Sequence, residues 1–270
     1  MSDFNDRVVI VTGAAQGIGR AIALHLAAAG DCVACVDLPS CREEMDKTWA
    51  LAKERGIPGH RLLGIFCDIS KHEECASAMD ATLRQFGNVH GLVNNAAIGM
   101  QFIGHVLVGQ RKRFFEVPTE RWREVIDVNV NGSFNMTRAV APHLVERRFG
   151  RIVNITTSYP TMQMAGFSPY GPSKAALEAA TVIWAKDLDG TGVTVNALLP
   201  GGAADTKQIP ATDDVDRAQL LRPEIMGPPC AWLMNSAGDD ITGQRFIANA
   251  WDESVSPDVA AQKAGAPAGW

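Results

Sequence analysis

Long apolar runs are missing from this sequence. No uninterrupted stretch approaches the roughly 18 residues of a membrane-crossing helix, so no membrane partner is expected. Basic charge is also short: 25 Lys and Arg face 30 Asp and Glu, a formal net charge of −5. That balance argues against nucleic acid as a partner. The one dense basic run, Arg111-Lys112-Arg113, reads as a solvated loop, with a carboxylate or phosphate site as the alternative. The first six residues are acidic and lack the basic and apolar regions of a secretory leader, so the expected location is cytoplasmic.

Signatures of several chemistries are wanting too. The six histidines are dispersed, and His72-Glu73-Glu74-Cys75 reads as part of a surface helix, so no metal is expected. No G-x-S-x-G elbow exists, which removes a serine hydrolase on an α/β sheet. Six scattered cysteines make no disulfide framework in a chain of this size and fit a reducing compartment. Cys32 and Cys35 form a C-x-x-C pair, but inside a strand a separation of three points them to opposite faces. They cannot grip one metal together. Tyrosine is rare, with only Tyr159 and Tyr170 in 270 residues.

What is present is a rhythm of strands and helices. Arg7–Thr12, Asp31–Val36, Leu62–Phe66 and Gly91–Asn94 read as buried strands. They alternate with helices over Ile18–Ala29, Arg42–Arg55 and Glu73–Phe86, each closed by a glycine. Thr119–His143 reads as one long helix bent near Asn131-Gly132. Strands follow at Gly150–Thr156, Val193–Leu199 and Ile241–Ala248, with helices over Ser173–Leu188 and near Cys230–Asn235. Strands separated by helices of about 12 residues indicate βαβ units on a parallel sheet. The expected fold is a Rossmann-like, doubly wound α/β sheet of about seven strands in one domain, residues 1–252. Residues 253–270, rich in Ala, Gly and Pro, form a loosely held tail. Residues 97–117 and 207–227 break the rhythm and read as lids or binding loops.

The turn after the first strand is Thr12-Gly13-Ala14-Ala15-Gln16-Gly17-Ile18-Gly19. Glycines let the chain turn sharply and approach a pyrophosphate, and the following helix N-terminus favours an anion. Asp37 ends the second strand 18 residues after Gly19. An acidic side chain at about this offset accepts bonds from ribose hydroxyls and repels the extra phosphate of NADP. The reading is NAD in preference to NADP, with Arg42 the nearest positive charge.

These residues resemble the short-chain dehydrogenase/reductase family, whose dinucleotide loop has the spacing T-G-x-x-x-G-x-G. The resemblance continues through Asp68-Ile69, Asn94-Asn95-Ala96-Ala97, Asn129, Tyr170-Gly171-Pro172-Ser173-Lys174 and Pro200-Gly201, in the family's order over residues 5–250. It implies an NAD-dependent oxidoreductase that moves a hydride between NAD and a secondary alcohol or ketone. Tyr170 would be the general acid/base. Lys174, four residues on and so on the same helix face, would lower the phenol pKa and hold the nicotinamide ribose. The family's substrate-orienting serine falls on Thr157, with Ser158 the alternative; Asn129 lies 28 residues before Thr157, which favours that register. Asn129 would hold a water linking Lys174 to solvent.

For the cofactor, the resemblance implies contacts from Gly13, Gln16, Gly17, Ile18, Gly19, Asp37, Asp68, Ile69, Asn95, Ala96, Tyr170, Lys174, Pro200, Gly201 and Thr206. Asn94 would steady the sheet. Ala97 replaces the family's usual glycine and narrows the space beside the cofactor. Tyr159, Met162, Met164 and Phe167, with Phe102, Phe114 and Phe115, suggest an apolar or aromatic substrate, and Arg111 or Arg113 would suit a hydroxy acid. The family commonly assembles as homotetramers or homodimers through the helices bearing Asn129 and Tyr170. The competing reading is a non-catalytic NAD-binding sensor or scaffold.

Overall fold

The computed structural model describes residues 7–103, 112–209, 216–235 and 240–270, with the side chains of 102 and 103 excepted. Its centre is a sheet of β1 (Val8–Thr12), β2 (Cys32–Asp37), β3 (Leu62–Phe66), β4 (Gly91–Asn94), β5 (Gly150–Ile155), β6 (Val193–Leu199), β7 (Gln244–Ile247) and β8 (Gly265–Pro267). The spatial order is β3-β2-β1-β4-β5-β6-β7-β8. Every pairing is parallel except β7 with β8. Strands β1, β5 and β6 are buried along their whole length, as expected where helices cover both faces of a parallel sheet.

One apolar layer joins the sheet to α1 (Gly17–Ala28), α2 (Arg42–Glu54), α8 (Gly227–Leu233) and α9 (Pro257–Ala264). The other joins it to α3 (His72–Phe86), α5 (Ser133–Glu146) and α7 (Tyr170–Asp187). Cys35 lies in the first layer and Cys32 in the second, so the C-x-x-C pair does straddle the sheet. A hydrogen-bonded row of buried amides and hydroxyls crosses the middle, with the Asn94 Oδ1 left without a partner among the described residues. Asn94 donates to Asn154 and to Thr137, both at 2.9 Å, and Asn154 donates to Thr181 at 2.9 Å.

Two departures from the expected pattern have clear causes. The long helix is really α4 (Thr119–Ile126), one wide π turn over Asp127–Gly132, and α5. The wide turn swings Asn129 into full burial, and such turns are frequent at functional sites. The segment expected to hang loosely, 253–270, instead supplies α9 and β8. Ala260, Ala261 and Ala264 are buried, small enough for α9 to seat closely, and Asp258 accepts from the Trp232 indole at 2.9 Å. Strand β8 then covers the β7 edge, which would otherwise expose unpaired backbone groups. No helix among the described residues is long and apolar enough to cross a membrane.

Candidate active site

The strand order reverses between β1 and β4, and a crevice outside the carboxyl ends of the strands is the expected ligand site of such sheets. A cavity of about 560 Å³ lies there. Its floor at one end is the turn between β1 and α1. Gly13 has φ +65°, and a Cβ on it would sit 2.8 Å from the Asn95 amide nitrogen and 2.9 Å from the Ala96 Cα. Gly19 has no room either: a Cβ there would meet the Gly13 carbonyl at 2.0 Å. Asn95 fixes the turn by donating to Thr12 O at 2.8 Å and to Gly13 O at 3.2 Å. The result is a cradle of main chain, with the Thr206 side chain packed opposite Gly17.

Asp37 closes this end. Its carboxylate accepts from Ala15 N and Leu38 N, both at 2.9 Å, while lining the cavity. Asp68 and Ile69 line the same end. Asp68 is pinned by the backbone and hydroxyl of Ser70, at 3.0 and 2.7 Å. The thiol of Cys41, on the same wall, keeps its proton: burial first, and then the Asp37 charge, push it up to about 11.

The other end is built by β5, α6 (Tyr159–Met162) and α7. Tyr170 opens α7, and Lys174 follows one turn later on the same face. Both line the cavity. The Lys174 ammonium is 6.0 Å from the centre of the Tyr170 ring and donates to Ile155 O at 2.7 Å. Thr157 faces the phenol; its hydroxyl favours the ionised form. Ser158, by contrast, is spent on α6. Its Oγ accepts from Thr161 N at 3.3 Å and lies 2.8 Å from the Thr161 hydroxyl, an N-cap. Of the two candidates, Thr157 has its hydroxyl directed at Tyr170.

The electrostatics differ from the expectation that the Lys174 charge lowers the phenol pKa. Burial dominates both groups. It pushes Tyr170 up to about 12, with Thr157 pulling weakly the other way. It pulls Lys174 down to about 8. Each charged form is disfavoured by the low-dielectric surroundings, so the phenol is held as an acid with its proton in place.

Asn129 stands behind the cavity rather than in its wall. Its amide donates to Ile98 O at 3.0 Å and to the Ser173 hydroxyl at 2.9 Å, and its Oδ1 accepts from Ile98 N at 2.7 Å. All its polar capacity therefore ties the loop after β4 to α7. Gly19 and Gly201 also lie outside the wall, for packing reasons: Gly201 has φ +88° and is pressed against Asn249. Gln16, Gly17, Ile18, Asn95, Ala96, Ala97, Pro200 and Thr206 are in it.

Met164 and Phe167 line the Tyr170 end together with Met100 and Ile209. Tyr159 and Met162 do not. The Tyr159 hydroxyl donates instead toward Glu178 and Gly269 O, and its ring packs on Trp270; Met162 is buried in the protein. Phe114 and Phe115 are exposed, 72% and 65%, and meet edge to face outside the cavity wall. Arg113 lies over Phe115. Arg111 and the Phe102 side chain lie outside the described residues. Sequence reasoning missed Lys207, whose ammonium bridges to Glu44 of α2 at 2.8 Å, and Gln208, which donates to Ala97 O at 2.9 Å. Only the irregularity of that segment signalled a covering loop.

A nicotinamide dinucleotide fits these residues. The main-chain turn at Gly13 and Gly17 lines the cavity where a pyrophosphate could lie, and a Cβ at Gly13 would collide with the Asn95–Ala96 segment that shapes the turn. The Gln16 Oε1 is buried with no hydrogen-bond partner among the described residues, and the Asp37 carboxylate sits where ribose hydroxyls would reach it. No cluster of three or more potential metal ligands occurs among the described residues.

Sheet order, glycine turn and a Tyr–Lys face on one crevice define a dinucleotide-binding oxidoreductase. Comparison with known proteins is more specific: the short chain dehydrogenase family model matches residues 7–214, and the chain belongs to that family. It is 30% identical over 247 residues to the 3-oxoacyl-(acyl-carrier-protein) reductase of Thermotoga maritima, covering 88% of this chain and 94% of that one. It is 35% identical over 196 residues to the (2S)-((R)-hydroxy(phenyl)methyl)succinyl-CoA dehydrogenase subunit BbsD of Thauera aromatica, 73% of each chain. Among solved structures, it superposes with a TM-score of 0.74 on the 3-ketoacyl-(acyl-carrier-protein) reductase from Brucella melitensis complexed with NADH. That match is 26% identical and covers 87% of this chain and 93% of the other.

Proposed function

We propose that the chain is an NAD(H)-dependent dehydrogenase/reductase acting on a secondary alcohol or its ketone, with an apolar or aromatic group beside the reacting carbon. The observation that carries this is the shared face of Tyr170 and Lys174 on a cavity whose far end is the glycine cradle and Asp37. Bound nicotinamide dinucleotide supplies the hydride acceptor or donor. Gly13, Gln16 and Gly17 would hold its pyrophosphate, Asp37 its adenosine ribose, and Lys174 its nicotinamide ribose. The remaining chemistry belongs to the chain. Thr157 orients the substrate oxygen by hydrogen bond. Tyr170, protonated at neutral pH, donates its proton to a ketone oxygen and takes one back from an alcohol. Lys174 places a positive charge near that phenol, which offsets the phenolate left behind.

Support for NAD over NADP comes from the Asp37 carboxylate and from the NADH complex of the Brucella relative. Support for an apolar substrate comes from Met100, Met164, Phe167 and Ile209 in the wall, and from the phenyl-bearing substrate in the Thauera relative's name. Half-exposed Phe134 on α5 and Ile183 on α7 suit a homo-oligomer through those helices.

The test is a thermal-shift and fluorescence comparison of NADH and NADPH, followed by absorbance at 340 nm with a panel of aryl and alkyl ketones. NADH binding with turnover that Tyr170→Phe abolishes supports the proposal. NADH binding without turnover on any ketone would favour a sensor instead.

A further inference from the structure

Beside the cavity lies a second buried cluster that the proposed chemistry does not use. Glu178 follows along the same face of α7, eight residues after Tyr170 and four after Lys174. It is fully buried, and Arg245 of β7 donates to its Oε1 from Nε at 3.0 Å. The same guanidinium lies 3.9 Å over the Tyr159 ring. Its Nη2 donates to the main-chain carbonyl of Thr157 at 3.3 Å. The Tyr159 hydroxyl has two acceptors, Glu178 Oε1 at 3.3 Å and Gly269 O, and one proton to give.

This cluster is poorly explained as a stability device. Buried ion pairs are often no better than apolar residues of the same volume. Here the Glu178 Oε2 is also buried with no hydrogen-bond partner among the described residues. What the cluster does achieve is geometric. Residues 156–158 join β5 to α6. Ser158, capping α6, holds the segment on one side, and Arg245 holds the Thr157 carbonyl on the other. The peptide carrying the hydroxyl that faces Tyr170 is thus pinned at both ends. A planar guanidinium can face a carboxylate, an aromatic ring and a carbonyl at once, and an ammonium cannot.

We infer that Arg245, locked by Glu178 and the Tyr159 ring, is a positioning residue that sets the Thr157 hydroxyl against the phenol of Tyr170. The inference rests on the reading of Tyr170 as proton donor in hydride transfer, and its test is chosen to separate the two. Arg245→Lys keeps a cation beside Glu178 but removes the arm that reaches Thr157. The Arg245→Met/Glu178→Gln double variant removes both buried charges, so no orphaned charge is left to unfold it.

Both variants are expected to hold the wild-type dissociation constant for NADH within about twofold and to unfold within a few degrees of wild type. Both should lose kcat by about tenfold or more on the best ketone found for the wild type. Threonine-methyl NMR gives a readout free of turnover: the Thr157 signal, assigned with Thr157→Ser, should move in Arg245→Lys. Wild-type kcat in the two variants with an unmoved Thr157 signal would overturn the inference, as would a kcat loss that only tracks lost folded protein. If the wild type binds NADH but reduces no ketone, the hydride-transfer reading fails. The moved or unmoved Thr157 signal then still decides whether Arg245 positions that peptide.

Discussion

Lys174→Met should make this protein more stable at neutral pH while abolishing its chemistry. The Lys174 side chain is 3% exposed, and its ammonium is met by one recorded acceptor, Ile155 O at 2.7 Å. Burial carries it from 10.5 down to about 8. At about 1.4 kcal/mol per pH unit, keeping that charge in the folded state at pH 7 costs about 3 kcal/mol. Methionine fills a similar stem volume without the charge. It leaves the Ile155 carbonyl unpaired, worth about 1 kcal/mol, so the net gain is about 2 kcal/mol. The pH dependence has a definite sign. Between pH 8 and 10.5 the unfolded lysine still holds its proton and the folded one has lost it, so the unfolded state binds more protons and stability rises with pH. Tyr170 acts oppositely between pH 10 and about 12, where the folded phenol alone keeps its proton, and stability falls. Urea unfolding at half-unit steps from pH 7 to 10 measures this. The wild type should gain about 3 kcal/mol over Lys174→Met-corrected behaviour across the lysine window, and the variant should lack that rise. A variant less stable than wild type at pH 7, with the same slope above pH 8, would refute the claim that desolvation governs this lysine.

Tyr170→Phe should lower kcat by at least a hundredfold with the NADH dissociation constant changed less than threefold, since the ring is kept and only the proton is removed; fluorescence titration beside 340 nm kinetics checks both. Asp37→Asn should improve NADPH relative to NADH binding by about tenfold, the loss of roughly one partly screened charge repulsion, while the amide still accepts one of the two backbone bonds. Gly13→Ala should abolish NADH binding, because the added methyl lands 2.8 Å from the Asn95 amide in a φ +65° backbone; a binding isotherm like wild type's would contradict the cradle. Lys207→Ala should speed NADH release severalfold in stopped flow, since Lys207 ties the loop after β6 to Glu44. The Glu44 carboxyl, held at about 2 by Lys207, Lys47 and Arg20, should titrate closer to its ordinary range in that variant.

Much of the fold was legible because its signals are local. Leu62–Phe66, Gly91–Asn94 and Val193–Leu199 are strands with the bounds their apolar runs suggest, and glycines at 30, 56 and 87 do follow the ends of helices. The glycine turn was legible because spacing is all it requires. What escaped is the part set by tertiary contact. Ala260, Ala261 and Ala264 carry little hydrophobic signal, yet their small size is what lets α9 dock, so the composition of 253–270 reads as a tail when it completes the sheet. A π turn adds one residue per turn with no compositional mark, so the break at Asp127–Gly132 showed only as a suspected bend.

The electrostatic state of the site was the least legible part, for a reason of principle. Spacing shows that an ammonium and a phenol share a helix face, and attraction between opposite charges then suggests a lowered phenol pKa. Whether attraction or desolvation wins depends on how much water each group loses and on how far apart the charges sit. Neither quantity is written in a four-residue spacing. Here Lys174, itself buried, points its ammonium at the Ile155 carbonyl, 6.0 Å from the ring centre, while the half-buried Tyr170 stands in the cavity wall. Burial therefore outweighs the pair attraction, leaving a neutral phenol facing Thr157. Such a site is better prepared to give a proton to a ketone than to take one from an alcohol. Reduction should accordingly run at full rate over a broad neutral range, whereas oxidation should rise with pH as hydroxide increasingly relieves Tyr170 of its proton.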